Sequence, residues 1–181
     1  MNTTRKFIFL VLISLLAVVI SLTCAAAEKV SAGQAAGPLE NTGVFSGAWF
    51  DIRYPAGFNV KPSLKSSTAE GYDSAEFIAP GGEVSFYVFA PQWGGTAADI
   101  ALIPKRERLV AEQRRKLPER KIRWFTIAAK DGSYRRSYQE TVTQKGSVIT
   151  ILGIKYRNEK SRLRYQKEYE QFRKSLQLYA D

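Results

Sequence analysis

The stretch Phe50–Val60, "FDIRYPAGFNV", decides the fold. Up to Tyr54 it alternates. Trp49, Asp51 and Arg53 fall on one face, and Phe50, Ile52 and Tyr54 on the other, the period of a half-buried strand. Pro55-Ala56-Gly57 then imposes a bend, because proline fixes φ and withdraws a backbone donor while glycine admits φ > 0. Phe58 and Val60 resume the apolar alternation. The stretch reads as a strand, a turn and an aromatic returned to the core. That is a structural device, not the rim of a reactive site.

Further strand signals follow. "AEFIA", Ala75–Ala79, is a short strand, and Pro80-Gly81-Gly82 a turn. "VSFYVFA", Val84–Ala90, is apolar on both faces, as a central strand is. A Pro- and Gly-bearing loop, "PQWGGTAADIA", leads to a helix expected over Asp99–Leu117. At about 100° per residue, Leu102, Leu109, Val110 and Leu117 fall in one arc, with Arg108, Arg114 and Arg115 outside it and Pro118 as the stop. Three strands then read as a meander: Ile122–Lys130, Tyr134–Thr143 and Ser147–Tyr156, joined at Asp131-Gly132 and Lys145-Gly146. A closing helix, Glu159–Leu178, places Tyr165, Tyr169, Phe172 and Leu176 on one face. The expected class is α+β, an antiparallel sheet with helices packed on it.

The N-terminus has the layout of a secretory signal peptide. Arg5 and Lys6 precede an apolar run, Phe7–Leu22, and Ala25 and Ala27 form an A-x-A site before Glu28. Two alternatives stay open. Residues 7–27 are long enough to anchor in roughly 30 Å of hydrocarbon. Cys24 would be the acylated residue of a lipoprotein, although Ser21 and Thr23 stand where that motif has leucine and a small residue. Residues 28–47, rich in Ala, Gly and Ser, read as a flexible leader, and 48–181 as one domain. Cleavage after Ala27 leaves 25 basic residues against 17 acidic, a net charge of +8.

The chain contains no histidine, and its single cysteine and single methionine fall in the signal segment. Ser-His-Asp and Cys-His catalysis and ordinary N/S metal sites are therefore excluded from the mature chain, and no cofactor is implied. Carboxylates are the remaining acid–base groups. Asp73 and Glu76, with Glu70 nearby, lie close in sequence, and solvated loop acids are the simpler reading. "WGGT" lacks the lysine of a phosphate loop, and Asp99 reads as a local helix cap. The basic runs "KRERLVAEQRRK" and "RNEKSRLRYQK" read either as solvated faces or as a surface for polyanions. Arg108, Arg114, Arg115 and Trp93 are the candidate contacts for a partner.

The motif "F-x-I-x-YP-x-G-[WF]-x-V", present as "FDIRYPAGFNV", is followed by "AEFIAPGGEVSFYVF" and a late "ILGIKYRNEKSRLRYQKEYEQFRKSL". This order resembles the superfamily of the photosystem II extrinsic P protein, PsbP, and the related bacterial envelope proteins of the DcrB type, over Trp49–Leu178. The resemblance implies an α/β/α sandwich and a non-enzymatic accessory or binding role. The expected function is an exported binding or accessory module of the cell envelope. Its expected partner is an acidic protein or an anionic lipid surface, and no nucleic acid. A carboxylate-dependent hydrolase of envelope polysaccharide and a small lipid-binding protein are the alternatives.

Overall fold

The structure is a computed structural model that describes residues 42–92, 94–143 and 148–179, within one compact unit, Gly37–Asp181. The signal segment with Cys24, most of the expected leader, and Trp93 lie outside the described residues.

The opening stretch carries the chain from one sheet to another. β1 (Thr42–Ser46), β2 (Phe50–Pro55) and β10 (Gln177–Leu178) form a small antiparallel sheet in the order β1-β2-β10. β3 (Asn59–Pro62), β4 (Ser74–Ile78), β5 (Val84–Phe89), β6 (Glu107–Lys116), β7 (Arg120–Ala129), β8 (Arg135–Thr143) and β9 (Ile149–Tyr156) form the large one. Its order is β3-β4-β5-β9-β8-β7-β6. Between β2 and β3 the Phe58 amide donates to the Pro55 carbonyl at 3.2 Å. Gly57 there takes φ 84°, a conformation that costs a residue with a Cβ. Phe58 lands in the core, as the pattern implies.

The fold is α+β, an antiparallel sheet with helices packed on it. β5 supplies both of its faces. Val84, Phe86 and Val88 enter one cluster with Phe50, Ile52, Phe77 and Phe172, while Tyr87 and Phe89 enter a second with Phe125, Ile127 and Ile151. The first cluster is rich in aromatics. The Phe172 ring lies 5.1 Å from that of Phe77 and 5.2 Å from that of Phe86. Tyr165, Tyr169 and Leu176 pack around it, so the stripe read from the sequence is the one that docks. The closing helix is not continuous, however. It divides into α1 (Glu159–Arg164) and α2 (Gln166–Lys174), then gives way to β10. The break at Tyr165 sets its ring edge-on to Phe58 at 5.8 Å and its hydroxyl on Glu83 at 3.1 Å.

Two further expectations are corrected. Thr42–Ser46, assigned to the leader, pairs with β2 from Thr42↔Pro55 to Ser46↔Asp51. Phe45 there sets its ring 5.7 Å from that of Phe77, so an aromatic anchors a Gly-rich segment that has no apolar period. The helix expected over Asp99–Leu117 is absent. Ala98–Ile100 makes a single 3-10 turn, and Glu107–Lys116 is β6, the last strand of the large sheet. The helical stripe is not core: Leu102, Leu109 and Val110 are exposed. Good helix formers are overruled here by pairing with β7 along nine register positions, interrupted by a bulge at Val110. Of the two helical layers of the expected sandwich, α1 and α2 supply one. The other face carries, among the described residues, only the 3-10 turn, whose Ile100 joins the second cluster together with Ala97 just before it.

Candidate functional site

The segment before β6 is pinned to the sheet by a buried ion pair. Glu107 and Arg136 are 3% and 6% exposed, which only a well-made pair tolerates. Arg136 Nε donates to Glu107 Oε1 at 2.9 Å, and its Nη atoms donate to the carbonyls of Ile100 at 2.8 Å and Ala101 at 2.9 Å. Glu107 also accepts from the Tyr134 hydroxyl at 2.6 Å and the Ile103 amide at 2.8 Å. Burial works against the carboxylate, but these donors outweigh it and hold the carboxyl below its ordinary range. Arg136 is thus a cation removed from the surface.

Beyond Glu107, β6 is exposed at every position and pairs with β7 alone. The β6–β7 hairpin forms a cationic arm. Arg114 lies directly opposite Arg123, and Lys116 directly opposite Lys121, on one face. Glu112 partly neutralises the inner pair, accepting from Arg114 Nε at 2.8 Å and Arg123 Nε at 2.7 Å. The hydrogen bonds from Arg114 and then Arg123 hold the Glu112 carboxyl below its ordinary range. Arg123 also stacks 4.4 Å from the centre of the Phe125 ring. The outer lysine pair forms no ion pair among the described residues. Arg108 and Arg115 stand opposite Ala128 and Ile122, on the other face. The expected contacts Arg108, Arg114 and Arg115 therefore share one edge strand but not one face; Trp93 lies outside the described residues. Lys116, Lys121 and Arg123 complete the arm; in the sequence they belong to one basic run, "KRERLVAEQRRK" continuing into "PERKIR", but not to two facing strands. The available signal was "RRKLPERK", basic residues mirrored about Pro118-Glu119, the pattern of a hairpin tip.

The carboxylates divide differently from the sequence grouping. Glu76 joins Asp99 and Glu107 around a cavity of about 270 Å³ on the sheet face opposite the helices. Asp73 and Glu70 do not line it. Asp99, expected as a helix cap, instead accepts from Ser63 Oγ at 2.6 Å, Ser74 Oγ at 3.0 Å and the Tyr87 hydroxyl at 2.7 Å. Burial, and then Asp99, push the Tyr87 phenol well above its ordinary value. Glu76 accepts from Ser85 Oγ at 2.6 Å. Gly153 lets the neighbouring wall form, because a Cβ there would collide with the Tyr138 ring. Each of the three carboxylates is already engaged as an acceptor. Among the described residues no three Asp, Glu, His or Cys gather as a metal site, and no helix is long and apolar enough to cross a membrane.

No family model matches the chain, and no curated protein matches it. Among solved structures it is similar to cyanobacterial PsbP (CyanoP) from Synechocystis sp. PCC 6803, with a TM-score of 0.46 and 11% identity, over 83% of this chain and 99% of that one. It is also similar to the Ran-binding protein Mog1p of Saccharomyces cerevisiae, with a TM-score of 0.38 and 8% identity, over 76% of this chain and 95% of that one. The superfamily named from the sequence is thus represented among the similar structures. The α+β assignment rests on the strands and helices themselves.

Proposed function

We propose that this protein is an exported, non-catalytic binding or accessory module that engages an acidic partner through its β6–β7 arm. One observation carries the reading. Arg114 faces Arg123 and Lys116 faces Lys121 in direct cross-strand register. Glu112 bridges the arginine pair, but the lysine pair has no such bridge among the described residues, and like charges placed so oppose folding by a few tenths of a kcal/mol. A strand edge kept soluble needs only mixed charges, so same-sign pairs held at a hairpin tip favour a ligand of opposite sign. The N-terminal layout supports export, and the partner is then an acidic envelope protein or an anionic lipid surface. Non-catalytic action is supported by the lack of histidine and by the engagement of Glu76, Asp99 and Glu107 as acceptors.

The test is a crosslinking pull-down from an envelope fraction at low and raised salt, with the parent chain and with Arg114→Glu/Lys116→Glu/Lys121→Glu. Capture of an acidic partner that weakens with salt and vanishes in the variant is expected. Capture unchanged by both would contradict the proposal. A second reading, a small lipid-binding protein, is favoured by a groove of about 390 Å³ lined by Ile100, Leu102, Leu109, Phe125 and Ile151, on the sheet face away from the helices. It requires saturable uptake of a fatty acid that is lost on Leu109→Asp.

A further inference from the structure

A further cavity, of about 780 Å³, lies on the helix side of the large sheet, between α1–α2 and β6–β9. Its volume is in the range of small-ligand sites. Its lining changes character in an informative way. Near β5 this face of the sheet is aromatic and aliphatic core. Past β9 the same face turns polar while remaining half-buried. Trp124 stands opposite Gln139, and Thr126 opposite Ser137, in direct register. Thr126 and Ser137 share a hydrogen bond of 2.9 Å. The Gln139 side-chain oxygen accepts from Trp124 Nε1 at 3.1 Å and from Arg173 Nη2 at 2.6 Å. The floor is thus a fixed row of indole, amide and hydroxyl groups.

Arg173, on α2, forms the wall beside Tyr169, its guanidinium 5.7 Å from the ring centre. No carboxylate pairs with it among the described residues, and its Nε is buried with no acceptor. The Arg173 side chain lines the groove without a carboxylate partner among the described residues, and an anionic oxygen in the groove would supply its guanidinium with one.

We propose that this groove binds an acidic oligosaccharide, a uronate-type chain. The indole and phenol rings would face the sugar's C–H surface, the Thr126–Ser137 and Gln139 groups its hydroxyls, and Arg173 its carboxylate. The proposal goes beyond the arm: it concerns the helix-side face of the sheet, opposite the face that carries the cation pairs, and a different ligand.

Isothermal titration of the purified chain with trigalacturonate tests it, with maltotriose as the neutral control and benzoate as the control for a bare aromatic carboxylate. Saturable one-to-one binding of trigalacturonate is expected, at least tenfold weaker for maltotriose and for benzoate. Arg173→Gln should weaken it at least tenfold without moving the thermal midpoint. Gln139→Glu gives Arg173 a carboxylate of its own within the groove, so it should abolish binding while leaving the fold as stable or more so. Lys116→Gln/Lys121→Gln should leave the affinity unchanged, which separates this groove from the arm. The proposal is overturned if trigalacturonate shows no saturable binding, or if maltotriose or benzoate binds as tightly. It is equally overturned if the lysine variant, and neither groove variant, loses the ligand.

Discussion

β5 and β6 belong to one antiparallel sheet and do opposite work. β5 lies inside, hydrogen-bonded to β4 on one side and β9 on the other, and all six of its residues are buried. Its two faces join the two cores. β6 has one neighbour, buries only Glu107, and exposes the other nine residues, four of them Arg or Lys. Stability is concentrated in the interior of the sheet, and same-sign charge at its β6 edge. The two properties are therefore separable by mutation, which a protein with its charges ringed around its core would not allow.

Substitutions that break the comparison rank by where they fall. The largest effect is expected at Phe86, fully buried against Phe58, Tyr169 and Phe172. Phe86→Ala should lower unfolding free energy in urea by about 3–5 kcal/mol. Next is the anchor where the arm begins. Glu107→Ala leaves Arg136 buried without its partner and should cost about 3 kcal/mol. The pH dependence of that pair has a definite sign. The Glu107 carboxyl is held lower in the folded than in the unfolded chain. The unfolded chain therefore takes up the proton first as pH falls. The contribution of the pair is complete above the unfolded value of about 4.3 and is lost below it, down through the folded value. The penalty of Glu107→Gln should accordingly be large at about pH 6 and much smaller at about pH 3; a penalty independent of pH would show that the charge of Glu107 is not what matters.

On the arm itself the effects shrink and change sign. Lys116→Glu replaces a like pair with an opposite one across from Lys121 and should raise stability by about 0.2–1 kcal/mol. Smallest of all, Leu109→Ser should stay within about 0.5 kcal/mol, because Leu109 is exposed on β6. A loss of about 2–3 kcal/mol would restore Leu109 to a core-facing helix.

These residues also show what the sequence made legible. β5 was readable because burial on both faces writes a continuous apolar run, "VSFYVF". The turn at Pro55–Gly57 and the hairpin at Asp131-Gly132 were readable because backbone geometry restricts the residue types there. β6 was not readable. An edge strand exposed on both faces has no alternation to show, the bulge at Val110 disturbs what period remains, and Arg, Glu, Gln and Ala are better helix formers than strand formers. The arm was hidden for the same reason. Its cations were visible as composition, but their pairing across Leu117–Glu119 exists only once the segment is known to be a strand. The cavity carboxylates were hidden by distance along the chain: Glu76 and Asp99 meet through β4, β5 and the 3-10 turn, whereas Asp73, the nearer neighbour of Glu76 in sequence, lies off the cavity.

The most direct measurement pairs two readouts on one variant. Lys116→Glu/Lys121→Glu is compared with the parent for urea stability and for retention on an acidic partner recovered from the envelope fraction. If the arm is for binding and not for folding, retention is lost while stability is unchanged. Retention at parental strength, or a fall in stability of several kcal/mol, would contradict the account.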